Sequence, residues 1–180
     1  MGYFPICVEL AGKPVILLGN GRQIEEKINV LEPFGCRMIR LETLTEGDLD
    51  CCPMMVVVGD MPYDYAAKAA ELCKARNIPV NVVDIPELCG FFFPALISQG
   101  DLTVAVSTAG KSPGTAVLLR NRIRGLIPDQ AATILEWLGK LRLDLRGRNP
   151  EGYRPILSRI TKQALEENRI LTTEELDKIL

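Results

Sequence analysis

The fold is decided by the stretch KPVILLGNGRQIEEK, residues 13–27, which predicts a β-strand, a glycine-containing turn and an α-helix in succession. The apolar run at 15–18 has the composition of a buried parallel strand. Ile24, Ile28 and Leu31 then recur at helical spacing, as expected for a helix that packs on a sheet. Strand, turn and helix in this order are typical of the first unit of a dinucleotide-binding fold.

The turn itself contains the glycines that such folds use to bind a coenzyme. Gly19 permits a tight turn, Gly21 lets the backbone approach a pyrophosphate, and the amides at the start of the helix favour an anion. Ile24 stands where the dinucleotide-binding fingerprint usually has a small residue, so the fingerprint is incomplete. The alternative is an ordinary strand-to-helix turn that binds no ligand.

A carboxylate follows another strand-like run, in the stretch NVVDIPELCGFFFPA at residues 81–95. Residues 80–83 predict a buried strand that Ile85 and Pro86 end, so Asp84 is expected at its carboxyl end. In open α/β sheets ligands bind at this edge, which makes Asp84 a candidate general base. The alternative is that Asp84 caps the turn after the strand.

A second acidic residue is expected at the same edge of the sheet. Residues 36–41 predict a short strand, and Glu42 follows it at about the separation where dinucleotide-binding folds place an acidic residue on a ribose hydroxyl. An exposed surface position is the alternative for Glu42. The charge of Glu42 would favour NAD over NADP, whereas the neighbouring Arg40 argues the reverse.

A third strand and a helix continue the alternation. Residues 54–58 form an apolar run that predicts a buried strand, and the strand ends in Gly59 and Asp60 at the same edge. A helix is expected from about residue 62 to residue 76. Its inward-facing residues are predicted to be Ala66, Ala69, Ala70 and Cys73.

A polar loop follows one further predicted strand. Residues 102–106 have strand composition, and residues 107–113 form a glycine-containing loop that leads into a helix. The amides, hydroxyls and lysine of this loop suit an anionic ligand. The alternative is a simple helix cap, with Ser112 as the capping residue and Pro113 in the first turn.

The composition is that of a globular protein, with 180 residues, 47% apolar residues, 24% charged residues and a net charge of −2. This charge, and the lack of a long basic block, argue against nucleic acid as a partner. No apolar run approaches the roughly 20 residues that a membrane span needs, and residues 1–5 do not resemble a signal peptide. A cytoplasmic protein without a membrane partner is therefore expected.

Histidine is absent, and six cysteines occur without a C-x-x-C pair. The absence of histidine excludes Ser-His-Asp and Cys-His catalysis and the usual histidine-containing zinc sites, so no metal ligands are predicted. Acid–base chemistry must therefore fall to Asp, Glu, Lys, Tyr or Cys. The cysteines are expected to be small buried hydrophobes, and Cys89, close in sequence to Asp84, is the one that merits inspection.

Over about residues 2–128 the chain resembles the precorrin-2 dehydrogenase family, the N-terminal module of siroheme synthases. The motifs that carry the resemblance are YFPI at 3–6, GNG at 19–21 with Lys27, NVVD at 81–84 with FFFPA at 91–95, and VAVSTAGKSP at 104–113 running into LLR at 118–120. The chain departs from the family pattern at three points. Ile24 replaces a small residue, Gly59 replaces a threonine, and the segment between the second and third strands is shorter.

The resemblance implies a Rossmann-like α/β protein that uses NAD to oxidise the tetrapyrrole precorrin-2 to sirohydrochlorin. Asp84 matches the catalytic aspartate of the family. Ser107, Thr108, Lys111 and Arg120 are then expected to bind the carboxylate-rich substrate. The expected coenzyme-binding residues are Gly19, Asn20, Gly21, Arg22, Gln23, Ile24, Glu42, Gly59 and Asp60.

Three alternatives to a simple dehydrogenase stay open. Some members of the family also insert ferrous iron into sirohydrochlorin, although the lack of histidine favours a chain that leaves metal insertion to another protein. A non-catalytic tetrapyrrole-binding or carrier protein would keep the loop at 107–113 and tolerate the changes at Ile24 and Gly59. A nucleotide-sensing domain would bind NAD without needing Asp84.

The predicted fold class is α/β, with a Rossmann-like parallel sheet followed by an α-helical region, and the resemblance implies that the helical part joins two subunits into a homodimer. The predicted regions are a Rossmann-like NAD-binding domain over 1–113, a helical dimerisation region over 114–146 and a small helical C-terminal region over 147–180. Residues 146–152 are expected to be a linker. Thr172 and Glu175 predict a capping box at the start of a last short helix.

Overall fold

The computed structural model describes residues 4–180, which form two compact units that divide between Phe93 and Pro94. Tyr3, the first residue of the YFPI motif, lies outside the described residues. None of the helices in the described part of the chain combines the length and the apolar character that a membrane crossing requires.

The first unit is built on a four-stranded parallel sheet with the strand order β2-β1-β3-β4. The register sets Ile16 on β1 opposite Ile39 on β2 and Val56 on β3. The strands are β1 (Pro14–Leu18), β2 (Arg37–Leu41), β3 (Met55–Val58) and β4 (Val80–Val82), and the helices are α1 (Arg22–Leu31) and α2 (Tyr63–Ala75). Short 3₁₀ turns occupy Glu32–Phe34, Gly47–Cys51 and Pro86–Leu88.

The two helices of this unit cover opposite faces of the sheet. Along β1 successive side chains point to opposite faces, so Val15 and Leu17 pack with Ile24 of α1, whereas Ile16 and Leu18 pack in the other cluster. The second cluster contains the four residues of α2 that the sequence predicts to face inward, namely Ala66, Ala69, Ala70 and Cys73. The α/β class and the parallel sheet are confirmed.

The second unit combines a β-hairpin with helices. The strands β5 (Ala95–Gln99) and β6 (Leu102–Val106) pair antiparallel, and the helices are α3 (Pro113–Arg124), α4 (Ala131–Arg148), α5 (Tyr153–Glu166) and α6 (Thr173–Asp177). A buried cluster from Ile134 and Leu138 on α4 and from Ile160 and Ala164 on α5 forms its apolar core.

The predicted strand at 102–106 exists, but it does not join the parallel sheet. It pairs with β5, which the sequence interpretation missed, through a two-residue turn at Gly100 and Asp101 in which Gly100 has φ +58°. Because this hairpin belongs to the second unit, the structure divides the chain after Phe93, whereas the sequence predicts the boundary after residue 113.

The linker predicted at 146–152 is shorter than expected. Helix α4 continues to Arg148, which forms an i,i+4 ion pair with Asp144 at 3.0 Å within the last turn. The turn between α4 and α5 therefore starts at Asn149, whose side-chain oxygen accepts a hydrogen bond from the Gly152 amide at 2.9 Å.

The predicted capping box is formed at the start of α6. The Thr172 hydroxyl accepts a hydrogen bond from the Glu175 amide at 3.4 Å, and the Glu175 carboxylate accepts one from the Thr172 amide at 2.7 Å. Arg169 also donates two hydrogen bonds to this carboxylate, at 2.6 and 2.9 Å. The guanidinium of Arg169 and the amide of Thr172 lower the pKa of Glu175 to about 2.

Replacement of Glu175 by Gln is expected to destabilise the second unit at pH 7 and to flatten its response to acid. A carboxyl whose pKa is lower in the folded state stabilises the fold above its ordinary pKa of 4.5, and this stabilisation is lost as the pH falls towards 2. Urea unfolding followed through Trp137, the single tryptophan, measures the effect at several pH values. E174Q, which removes an equal charge from the same helical turn, is the control, and an unchanged slope in E175Q would contradict the prediction.

Candidate functional site

A turn with bare backbone joins β1 to α1 at the carboxyl edge of the sheet. Gly19 has φ +110°, and a Cβ at this position would lie 2.1 Å from the carbonyl oxygen of Gly59. The Gly19 amide donates to the Leu41 carbonyl at 3.0 Å, and the Gly59 amide donates to the Leu18 carbonyl at 3.1 Å. The ends of β1, β2 and β3 are therefore held together at this turn, and only glycine fits at position 19.

Gln23, in the first turn of α1, connects two aspartates that follow different strands. Its side-chain oxygen accepts a hydrogen bond from the Asp60 amide at 2.8 Å, and its side-chain nitrogen donates to Oδ2 of Asp84 at 2.7 Å. The Gln23 amide in turn donates to Oδ2 of Asp60 at 2.8 Å. The loops after β3 and β4 are thus tied to the start of α1 by one side chain.

Two of the departures from the family pattern compensate each other. Ile24 is fully buried, and a Cβ added to Gly59 would lie 3.2 Å from its Cδ1 and 3.1 Å from the Cβ of Gln23. The space that the larger Ile24 side chain needs is therefore provided by the absence of a side chain at position 59. A large residue at position 24 and a small one at position 59 thus still allow α1 to pack closely on β3.

Asp84 lies two residues after the end of β4 at the carboxyl edge, as the sequence predicts, and it is exposed. Its φ of +62° is in the left-handed region, which aspartate tolerates better than most residues. It lines a cavity of about 490 Å³, within the usual range for small-molecule sites. The cavity is lined by Gln23, Val58, Gly59, Asp60, Met61, Pro62, Ala66, Val82, Val83, Asp84 and Ile85.

Lys27 and Phe93 belong to the surroundings of Asp84, but the sequence interpretation did not include them among the site residues. The Lys27 ammonium lies 4.8 Å from the centre of the Phe93 ring, a cation–π contact. Burial lowers the pKa of Lys27 below its ordinary value, although the charges of Glu26 and Asp84 act in the opposite direction. Two sequence features could have indicated these residues, because Lys27 accompanies the GNG turn among the motifs that carry the resemblance and Phe93 lies in the FFFPA motif.

Cys89 has a structural role in this region. Its thiol contacts the amide and the carbonyl of Val82 at 3.3 and 3.2 Å and the Ile85 carbonyl at 3.4 Å. Burial raises the pKa of this thiol, so the reactive thiolate is disfavoured. Asn81, which is 6% exposed, donates to the Phe91 carbonyl at 3.0 Å and holds the loop after β4 against the strand.

Asn20, Arg22 and Glu42 are also predicted to bind the coenzyme, and they lie around the turn. Asn20 and Arg22 are exposed, and the Arg22 guanidinium pairs with Glu26 along the helix at 2.8 Å. Glu42 is exposed in the bend directly after β2, next to the Leu41 carbonyl that receives the Gly19 amide. Glu42 therefore follows the second strand at the edge where the turn lies.

The four residues predicted to bind the substrate lie in the second unit. The Thr108 hydroxyl bonds the Ser112 backbone at 3.0 and 3.1 Å, and the Ser107 hydroxyl accepts from the Ala109 amide at 3.2 Å. Lys111 is exposed. The half-buried Arg120 donates to the neutral side chain of Asn121 at 3.1 and 2.8 Å.

The alternative role expected for Ser112 and Pro113 is present in the same loop. Ser112 is the capping residue of α3, its side chain accepts a hydrogen bond from the Thr115 amide at 3.3 Å, and Pro113 is in the first turn. The cap leaves Lys111 exposed beside the start of α3. The loop therefore combines a helix cap with an accessible positive charge.

The backbone of the turn has a shape that suits a dinucleotide, but the Asp60 carboxylate lies where the pyrophosphate would bind. Gly19 and Gly21 have no side chains, and the amides at the start of α1 are the donors that a pyrophosphate uses. The carboxylate of Asp60, however, already accepts the hydrogen bond of the Gln23 amide. One of the amides at the start of α1 is therefore already bonded to a side chain of the protein.

The chain is similar in sequence to siroheme synthases. It is 33% identical to that of Thioalkalivibrio sulfidiphilus over 172 residues, which cover 84% of this chain and 35% of the relative. It is 34% identical to that of Methylococcus capsulatus over 172 residues, with 84% and 36% covered, and 36% identical to that of Azotobacter vinelandii over 149 residues, with 71% and 32% covered. The chain thus spans about a third of the length of these relatives.

The fold also matches a solved structure. The precorrin-2 dehydrogenase SirC superposes with a TM-score of 0.71 at 15% sequence identity, and the match covers 98% of this chain and 96% of that chain. At this level of identity the likeness concerns the fold.

The fold and the glycine turn define the class of the protein, which is a Rossmann-like dinucleotide-binding protein. Residues 38–95 match the family described as "Putative NAD(P)-binding", and residues 99–126 match the central family of sirohaem biosynthesis proteins. The chain is a homologue of siroheme synthases over about a third of their length, and it carries the putative NAD(P)-binding region and the central region of sirohaem biosynthesis proteins.

Proposed function

We propose that the protein oxidises precorrin-2 to sirohydrochlorin, with NAD as the hydride acceptor. The observation that carries this proposal is the link from Asp84 to the glycine turn through Gln23, whose side-chain nitrogen lies 2.7 Å from Oδ2 of Asp84. A carboxylate is thereby held beside the turn that would bind the coenzyme. The similarity to siroheme synthases and to the fold of a precorrin-2 dehydrogenase supports this choice of reaction.

In the proposed reaction the substrate loses a hydride and a proton. Bound NAD supplies the acceptor for the hydride. Asp84 accepts the proton, because its carboxylate is exposed at the cavity and is oriented by the amide nitrogen of Gln23. The apolar side chains of Met61, Val83 and Ile85 line the cavity beside Asp84.

NAD rather than NADP is the proposed coenzyme. Glu42 is exposed after β2, where a carboxylate can accept hydrogen bonds from the ribose hydroxyls and repel a 2′-phosphate. Arg40, the residue that would favour a 2′-phosphate, forms an ion pair with Glu25. The positive charge of Arg40 is thus already paired with Glu25, which supports Glu42 as the residue that selects NAD over NADP.

The substrate's carboxylates call for positive charges, and we assign this role to Lys111 and Arg120, with hydrogen bonds from Ser107 and Thr108. Lys111 is exposed, and Arg120 contacts the neutral side chain of Asn121, which leaves its charge available. Lys27 offers a further positive charge beside Asp84. A cytoplasmic location is part of the proposal, because a reducing compartment keeps the six free cysteines as thiols.

A homodimer formed through the helical unit is the proposed assembly. Leu118 of α3 and Leu126 just after it are 53% and 81% exposed, and such apolar exposure is typical of a surface that a second copy covers. Leu118→Glu is expected to shift the sedimentation of the protein from dimer to monomer. L165E, at an exposed leucine of α5, is the control and should stay dimeric. A wild-type monomer would reject the assembly.

Anaerobic incubation of precorrin-2 with the purified protein tests the proposed reaction. The expected result is conversion to sirohydrochlorin, followed by absorbance, that requires NAD and is slower with NADP. A folded protein that binds NAD but causes no conversion would reject the dehydrogenase. Addition of ferrous iron to supplied sirohydrochlorin in a parallel sample shows whether the same protein inserts the metal.

A further inference from the structure

Asp60 lies where a dinucleotide-binding turn receives the pyrophosphate. Its Oδ2 accepts the hydrogen bond of the Gln23 amide at 2.8 Å. The same oxygen would lie 2.2 Å from a Cβ built on Gly21, so the carboxylate is packed against the bare backbone of this glycine. The Asp60 side chain thus occupies the two features that a pyrophosphate uses. These are the space beside the glycine and the amide at the start of the helix.

The position of Asp60 is held from both sides. The Asp60 amide donates to the side-chain oxygen of Gln23 at 2.8 Å, so backbone and side chain of each residue contact the other. The residue has φ +55°, a conformation that aspartate, asparagine and glycine tolerate. The side-chain nitrogen of Gln23 donates one of its hydrogen bonds to Asp84. A displacement of Asp60 therefore changes the hydrogen bonding of the residue that orients Asp84.

A carboxylate and a pyrophosphate cannot share this position, because like charges a few ångströms apart repel and both need the same amide. We infer that Asp60 is an internal competitor of the coenzyme's pyrophosphate, and that coenzyme binding requires Asp60 to leave the Gln23 amide. This inference rests on the proposed function, since it takes the coenzyme to be NAD. In this inference the Asp60 side chain weakens coenzyme binding, whereas a residue that contacts the coenzyme would strengthen it.

Replacement of Asp60 is therefore expected to tighten coenzyme binding. Asp60→Gly removes the competing carboxylate and suits the left-handed backbone, so the dissociation constant for NAD, measured by calorimetry, should fall about tenfold or more. Asp60→Asn removes the charge but keeps an acceptor for the Gln23 amide, so its gain should be smaller. Asp64→Asn, an equal change of charge in the first turn of α2, is the control and should bind NAD like the wild type.

A second readout follows the side chain of Gln23 directly. In the wild type its side-chain amide signal in ¹⁵N NMR spectra should shift when NAD is added, because Asp60 leaves. In D60G the signal should already be displaced before the addition. Titration with inorganic pyrophosphate should give the same order of affinities, with D60G the tightest.

The outcomes separate this inference from the proposed function. A folded D60G that binds NAD as weakly as the wild type, more weakly, or not at all overturns the role of Asp60, even if the wild type oxidises precorrin-2. Tighter binding by D60G supports the role of Asp60, even if precorrin-2 is not oxidised by any variant. The oxidation assay alone then decides the proposed reaction.

Discussion

Asp84→Asn is expected to lower the turnover of precorrin-2 by about 10²- to 10⁴-fold, the usual contribution of a general base. The amide of asparagine cannot accept the substrate proton, whereas its oxygen can still receive the hydrogen bond from Gln23 that Asp84 receives at 2.7 Å. The initial rate of the absorbance change with saturating NAD measures the effect.

Asparagine is the suitable replacement because of the backbone at this position. Asp84 has φ +62°, where asparagine is tolerated and alanine adds strain, so a loss of activity in D84N does not arise from a distorted loop. The affinity for NAD should stay close to that of the wild type. Glu87→Gln, at an exposed carboxylate three residues along the chain, is the matched control and should keep full activity. Turnover by D84N within tenfold of the wild type would remove Asp84 from the role of base.

Gly19→Ala is expected to destabilise the first unit by about 3 kcal/mol or more, and to abolish coenzyme binding with it. The added Cβ would lie 2.1 Å from the Gly59 carbonyl oxygen, a backbone atom at the end of β3 that cannot move without breaking the sheet. The φ of +110° adds conformational strain for any residue with a side chain. Urea unfolding followed by circular dichroism measures the loss.

Gly12→Ala separates the two causes. Gly12 has φ +68°, but no atom lies within 4 Å of a Cβ built there, so this variant carries the conformational strain alone, about 1–2 kcal/mol. The difference between the two variants then reports the clash with Gly59 together with the greater backbone strain at φ +110°. Equal losses in both variants would show that the contact between Gly19 and Gly59 does not limit the turn.

The sequence pattern predicted the parallel sheet well because each of its central strands is a short apolar run. All four residues of β3 are buried, and a run such as MVVV has few other places in a globular fold. Asp84 was predicted at the edge for the same reason, since a carboxylate that ends a buried strand must lie where the strand reaches the surface. The inward face of α2 followed from the spacing of its alanines.

The β-hairpin of the second unit shows the limit of this reasoning. Residues Leu102–Val106 were predicted as a strand, but composition does not say which strand is the partner. The pairing with Ala95–Gln99 depends on the turn at Gly100 and Asp101, a signal that is local and easily overlooked beside an apparent βαβ rhythm. Because of this one pairing, the boundary between the two units lies after Phe93 rather than after residue 113.

From the sequence alone one can derive the α/β class, the glycine turn and the edge at which Asp84 lies, because these depend on the hydrophobic pattern along continuous segments. Only the tertiary structure decided that Ile24 is accommodated by Gly59 and that Gln23 joins Asp60 to Asp84. These partners are separated from Gln23 by 37 and 61 residues, and they come within hydrogen-bonding distance only when β1, β3 and β4 lie side by side. No pattern within one segment records such a contact, since its geometry is created by the packing of three strands and a helix.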